Sequence, residues 1–148
     1  MMTLNVNGLN APIRRHGVAE WIRKHDPHIC CLQETHLRTK DLHRLKVKGW
    51  KKILQTNGQE NKARVAILVS DKIDFKTKAI KRDPEGHFII LKGRIHEKDM
   101  NIINIYAPNI GAPKYIRKIL EDFKKDIDSY AIIGDFNTLL SKLGRSSK

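Results

Sequence analysis

Two stretches, His28-Ile29-Cys30-Cys31-Leu32 and Val65-Ala66-Ile67-Leu68-Val69, are apolar at nearly every position, without the alternation of a half-solvated strand. Such runs read as strands covered on both faces, the kind found inside layered α/β proteins. The first ends directly in Gln33-Glu34-Thr35-His36. Polar side chains gathered just beyond a buried strand are where α/β proteins place their chemistry. Glu34 is therefore a candidate ligand, a hard oxygen donor suited to Mg²⁺, with a solvated loop glutamate as the plainer reading. His36 is a candidate base or ligand, although a lone loop histidine is more often neither.

Three other strand ends carry functional groups. Met2-Thr3-Leu4-Asn5-Val6 alternates apolar and polar residues before an Asn7-Gly8 turn signal, so Asn5 and Asn7 project one way. Met100 to Ile105 runs into Tyr106-Ala107-Pro108-Asn109, which offers a phenolic hydroxyl and an amide. Ile132-Ile133-Gly134-Asp135-Phe136-Asn137 delivers a carboxylate and a carboxamide two residues apart, on one side of an extended backbone. Gly134 permits a turn or a close approach, and Phe136 faces the other way to anchor it. An acid beside an amide at a strand exit holds a phosphate or a water, and the competing reading is an Asx-type turn that only closes the strand.

Between these ends, Pro12 opens a helix in which Val18, Trp21 and Ile22 share a face, with Arg14, Arg15, Arg23 and Lys24 over the remainder, until Asp26-Pro27 stops it. Thr39 to Gly49 is charged and is expected to include a short helix ending at Gly49, with Lys40, Arg44, Lys46 and Lys48 exposed. Lys52 to Thr56 reads as a strand leading to an Asn57-Gly58 turn and a polar loop, where neighbouring lysines either touch a phosphate backbone or are simply solvated. Asp83-Pro84-Glu85-Gly86 separates a lysine-rich strand from His87-Phe88-Ile89-Ile90-Leu91, and strands without intervening helices suggest an antiparallel meander. Pro113 then starts a helix with Ile116, Ile119, Leu120, Phe123 and Ile127 along one stripe. With no repeat, low-complexity segment or linker, residues 1–148 read as one domain or part of one.

Charge narrows the partner. The chain has 29 Lys+Arg against 16 Asp+Glu, a net charge of +13, which favours nucleic acid or an anionic membrane surface over a merely soluble basic protein. The membrane reading is weak, because the amphipathic stripes look core-facing and no apolar run approaches the ~20 residues needed to span a bilayer. No signal-peptide core follows the first Met, so an intracellular location is expected. The two cysteines, Cys30 and Cys31, are adjacent in a buried strand, poor geometry for a disulfide, and read as core residues.

Taken in order, Leu4-Asn5-Val6-Asn7-Gly8, Gln33-Glu34-Thr35, Tyr106-Ala107-Pro108-Asn109 and Gly134-Asp135-Phe136-Asn137 resemble the motifs of the endonuclease/exonuclease/phosphatase superfamily, which includes apurinic/apyrimidinic endonucleases and DNase I. The flanking residues Asn7-Gly8-Leu9-Asn10, Gln33-Glu34-Thr35-His36-Leu37, Lys48-Gly49-Trp50 and Asn104-Ile105-Tyr106-Ala107-Pro108-Asn109 are similar to the endonuclease domain of mammalian LINE-type retrotransposons. The resemblance implies an α/β sandwich of the DNase I-like type and Mg²⁺-dependent hydrolysis of DNA, with Mn²⁺ as an alternative ion. It implies that Glu34 binds the metal with Asn5 close by. By the same likeness Asp135 orients or activates the attacking water, Asn137 holds the scissile phosphate, and Tyr106 lies against the phosphate and its developing charge. The implied partners are DNA and, in a parent polyprotein, a reverse transcriptase domain, with the chain acting as a monomer and DNA shape giving most of the sequence preference.

The chain departs from that pattern in ways that set further expectations. The family places an Asp-containing motif and a Ser-Asp-His ending well downstream of Gly-Asp-Phe-Asn, and all seven histidines here, at positions 16, 25, 28, 36, 43, 87 and 96, precede that motif. A C-terminally truncated domain with impaired activity is therefore expected, with a catalytically inactive basic remnant that binds nucleic acid as the alternative. Much of a second sheet would be lost with the missing part, leaving apolar strand faces exposed. Arg64 stands where close relatives carry Gly, the run into Gly134 is about one residue short, and Leu139 replaces a usual Pro.

Overall fold

The computed structural model describes residues 1–56, 64–107 and 131–136, together with Lys114, Arg117, Lys118 and Glu121. The Asn57-Gly58 turn, the stripe from Ile116 to Ile127, and Asn109, Asn137 and Leu139 lie outside the described residues.

Both fully apolar runs are central strands. β1 (Met2–Asn5) pairs in parallel with β2 (Ile29–Gln33), and β4 (Val65–Val69) lies antiparallel between β2 and β3 (Lys52–Gln55), in the order β1-β2-β4-β3. Every residue of β2 and of β4 is buried. Their alternating side chains serve two cores. Cys30, Leu32, Ala66 and Leu68 pack with Ala19 and Ile22 of α1 (Pro12–His25) and with Leu9, Leu37 and Trp50. On the other face, Ile29, Cys31, Val65, Ile67 and Val69 meet Phe75, Ile89, Leu91 and Ile102 of a second sheet.

That second sheet has the order β5-β6-β7-β8, from β5 (Phe75–Arg82), β6 (Phe88–Ile95), β7 (Lys98–Ala107) and β8 (Ala131–Phe136). β5 to β7 form the expected antiparallel meander, and β8 joins β7 in parallel. The result is the α/β sandwich anticipated from the motifs. One expectation does not hold among the described residues: the large apolar side chains left exposed there are Met1 and Ile13. Four strands of the second sheet come from this chain itself, and Ile90, Ile103 and Ile105, which alternate with the inward-facing residues, are also buried.

α1 begins with Pro12 at its first turn and ends where Asp26 adopts a left-handed conformation (φ 48°), its N–H returning to Ile22 O at 2.8 Å. Arg23, Lys24 and His25 in the last turn complement the helix dipole. The expected helix to Gly49 is shorter than its charge pattern suggested: a 3₁₀ segment spans Thr39–Arg44, and the chain beyond it runs on to bury Leu45 and Val47. These two apolar residues are two apart, a spacing that an extended segment, not a helix, can turn to one side.

Burial fixes the chemistry of the cysteines. Cys30 and Cys31 are free and point to opposite faces of β2, one into each core. Desolvation pushes the Cys30 thiol from its ordinary 9.0 up to about 12 and raises Cys31 as well. Because both folded-state values are raised, their contribution to stability is fully present below pH 9.0 and is lost as pH rises towards about 12. At neutral pH, alkylation of the two thiols by iodoacetamide should proceed only at the rate of unfolding, and the urea midpoint should fall as pH rises above 9.0.

The β6–β7 hairpin turns through His96 (φ 50°) and Glu97 (φ 65°), both in the left-handed region with no glycine to ease it. A two-residue turn of this kind favours Asn-Gly. Replacing His96→Asn together with Glu97→Gly should raise stability by about 1 kcal/mol in a urea melt.

Candidate active site

β2 runs parallel to β1 and β8 parallel to β7, so each pair ends together, and the Tyr106–Glu34 hydrogen bond brings both pairs to one end of the sandwich. The β1 and β2 exits stay zipped beyond the strands: Val6 N–H donates to Gln33 O at 3.0 Å, Gly8 N–H to Glu34 O at 2.7 Å, and Leu9 N–H to Thr35 O at 2.8 Å. The loops are bent sharply to do this. Asn7 (φ 49°), Glu34 (φ 55°) and His36 (φ 50°) are all left-handed although none is glycine. Backbone conformations of this cost persist where the surroundings over-determine them, and they cluster at functional sites.

Three of the residues singled out in the sequence converge there. Tyr106 Oη donates to Glu34 Oε1 at 3.1 Å, and Asn5 Nδ2 donates to Glu34 Oε2, so each carboxylate oxygen has a partner from a different strand. Asn5 Oδ1 accepts from Asn7 N–H at 3.1 Å, which fixes the amide's other end. The Glu34 side chain is 22% exposed, half-buried yet open to a ligand, and His36 Nε2 stands 3.8 Å from Oε1. Asp135 is paired with Tyr106 in the β7–β8 register, so its backbone is placed at the level of the Glu34–Tyr106 contact. Asn137 lies outside the described residues.

A carboxylate beside an amide is a set of hard donors that fits Mg²⁺, which keeps much of its water and asks for one or two carboxylates. Among the described residues no group of three or more His, Cys, Asp or Glu side chains is placed to hold a metal ion.

Several contributors were not evident from the motifs. Arg14 and Arg15, read as surface residues of α1, hold the β1 exit loop: Arg14 Nη1 reaches Val6 O and Asn7 O at 3.3 Å each, and Arg15 Nη1 reaches Leu9 O at 3.0 Å and Asn10 O at 2.7 Å. Asn10 Nδ2 in turn holds His36 O at 2.8 Å. Arg64 enters through its backbone, its carbonyl accepting from Thr35 N–H at 3.1 Å. His87, set aside by its position in the sequence, is bonded through its carbonyl to Tyr106 N–H at 2.8 Å, and its ring leans on the buried Asp83 at 3.2 Å.

A family model described as the Endonuclease/Exonuclease/phosphatase family matches residues 2–146. The chain belongs to the endonuclease/exonuclease/phosphatase family. Within curated sequences it is similar to the uncharacterised 149 kDa protein of transposon TX1 from Xenopus laevis, at 29% identity over 97% of this chain and 11% of that protein. Among solved structures, the endonuclease domain of TRAS1, a telomere-specific non-LTR retrotransposon, superposes with a TM-score of 0.63 at 16% identity, covering 91% of this chain and 57% of that one. D. rerio TDP2, solved with a single-strand DNA product, gives a TM-score of 0.67 at 15% identity over 90% of this chain and 58% of its own. The chain thus spans under two-thirds of the length of each of these family relatives, and at these identities the structural matches speak to the fold. The family membership and sandwich fold expected from the four motifs are borne out.

Proposed function

We propose that this chain is a divalent-metal-dependent endonuclease that hydrolyses phosphodiester bonds in DNA. The observation that carries the reading is the convergence of Asn5 and Tyr106, from strands of different sheets, on the half-buried carboxylate of Glu34 just past a third strand. Family membership, the transposon relative and a net charge of +13 support it.

Glu34 and Asn5 would hold the metal, Mg²⁺ or in its place Mn²⁺. Against a bare carboxylate Asn5 turns its NH₂ inward, and against a cation the same amide can present its oxygen. When bound, such an ion offsets charge on the non-bridging phosphate oxygens. Tyr106 contributes a hydroxyl donor to the same side, positioned to stabilise charge as it develops on the phosphate. Asp135, at the level of Tyr106, would accept a proton from the attacking water, and Asn137 would donate to the scissile phosphate and hold it in line. The excess of Lys and Arg would grip the flanking duplex, so affinity should fall steeply with salt.

The second reading, an inactive basic protein that binds nucleic acid through charge alone, is favoured by the net charge of +13. The test is conversion of supercoiled plasmid to open circle by the purified chain. Nicking in Mg²⁺ that stops in EDTA supports the endonuclease, whereas salt-sensitive plasmid binding with no nicking in Mg²⁺ supports the second reading.

A further inference from the structure

Two buried amides lie directly beneath the site, between the sheets. Gln33 is 2% exposed and Asn104 0%. Gln33 Nε2 donates to Asn104 Oδ1 at 2.9 Å and to Thr3 Oγ1 at 2.7 Å. Asn104 Nδ2 donates to Leu32 O at 3.0 Å and to Ala66 O at 2.7 Å, two residues that face each other across the β2–β4 pair. One amide on β7 is thereby tied to β2 and β4, and through Gln33 to β1.

Each member of this network is one or two residues short of a residue in the site. Thr3 precedes Asn5 by two, Gln33 precedes Glu34 by one, and Asn104 precedes Tyr106 by two. Two residues of strand span only ~7 Å, so a displacement at the amides reaches the site nearly undiminished. The contact between Glu34 and Tyr106 crosses from one sheet to the other, and among the described residues no backbone ladder links those sheets. Apolar side chains such as Ile67, Leu91 and Ile102 are non-directional and would tolerate a slide of one sheet over the other. Directional bonds in a dry interior do not, because a slide leaves buried carbonyls and amides without partners.

We infer that Gln33 and Asn104 are positioning residues that set the Glu34–Tyr106 separation across the sheets. The inference rests on the reading of Glu34 and Tyr106 proposed above. A merely structural amide would stabilise the fold and leave the Tyr106–Glu34 bond indifferent to its presence.

The test is a thermal double-mutant cycle on the full chain, followed by circular dichroism with and without excess Mg²⁺. Asn104→Leu keeps the side-chain size and removes the bonds, and Tyr106→Phe removes only the hydroxyl. Tyr106→Phe should lower Tm by about 3 °C in the native background. In the Asn104→Leu background it should lower it by under about 1 °C, because the hydroxyl no longer meets Glu34. Equal losses in both backgrounds, or none in the native one, overturn the inference. Where Asn104→Leu does not fold cooperatively, Gln33→Met with Tyr106→Phe gives the same reading. The Mg²⁺ arm separates this inference from the function it rests on. A rise of Tm in Mg²⁺ that Glu34→Gln abolishes supports the metal site, and Asn104→Leu should then need about tenfold more Mg²⁺ for the same rise. If Mg²⁺ leaves the native Tm unchanged, the metal reading falls while the cycle still decides the role of the amides.

Discussion

Glu34→Gln is expected to reduce Mg²⁺-dependent plasmid nicking by at least about a thousandfold while leaving the chain folded. Glutamine keeps the length and planarity of the side chain, so Oε1 can still accept from Tyr106 Oη and the loop need not move. What it removes is the negative charge that holds a divalent cation, together with the acceptor on the side of Asn5 Nδ2. Tyr106→Phe should be milder, about tenfold to a hundredfold, because it removes one donor and leaves the carboxylate in place. Initial nicking rates for the three proteins at a fixed Mg²⁺ concentration check this order. A Glu34→Gln protein that nicks within a few-fold of the native chain would mean that the chemistry lies elsewhere. Retained circular dichroism and a cooperative melt are the control that the loss is chemical.

The largest expected effect on stability comes from Gly93→Ala. Gly93 sits in β6 opposite Thr77 of β5, beneath the ring of Phe75. A Cβ added there would fall 2.2 Å from Phe75 Cε1, 2.4 Å from Cζ and 2.7 Å from the Lys76 carbonyl oxygen. The ring cannot simply swing away, because Phe75 is 6% exposed and packs into the core between the sheets. Its outer side carries Lys52 Nζ at 5.7 Å from the centroid. Nor can the carbonyl move without disturbing the edge of the sheet. Overpacking of this kind costs about 3 kcal/mol, a loss of roughly 10 °C in Tm for a chain of this size. Pairing it with Phe75→Leu should recover part of the loss, since the clash is chiefly with the ring. A Gly93→Ala protein that melts with the native one would contradict the packing described between the sheets.

What the sequence revealed divides along physical lines. β2 and β4 were legible because a strand covered on both faces leaves no polar position in its run, and Ile29 to Leu32 and Val65 to Val69 have none. Pro12 and Asp26-Pro27 bounded α1 through backbone chemistry that needs no tertiary partner. The strand ends carrying Asn5, Glu34 and Tyr106 were legible as a set, since each places a polar group just past an apolar run. Their meeting at Glu34 was expected only through the family resemblance, since no local pattern encodes a contact that depends on how two sheets stack. Gln33 and Asn104 went unread for the same reason: a lone amide at an inward position gives no local sign of which carbonyls it will find. Asn104 did carry a signal, a polar residue on the same side of its strand as Ile102. Arg14 and Arg15 looked like solvated helix residues because their partners are backbone carbonyls of the preceding loop, which no side-chain pattern encodes. Leu45 and Val47 were hidden by the charges around them, and their burial ended the helix early.

Glu34, with Asn5 and Tyr106 beside it, is proposed above as a divalent-metal site. Its most direct test is an electron paramagnetic resonance titration of free Mn²⁺ with the purified chain and with Glu34→Gln. The expected result is a saturable Mn²⁺ site in the native chain that Mg²⁺ displaces and that is absent from Glu34→Gln. Equal Mn²⁺ binding by both proteins, or none by the folded native chain, would contradict it.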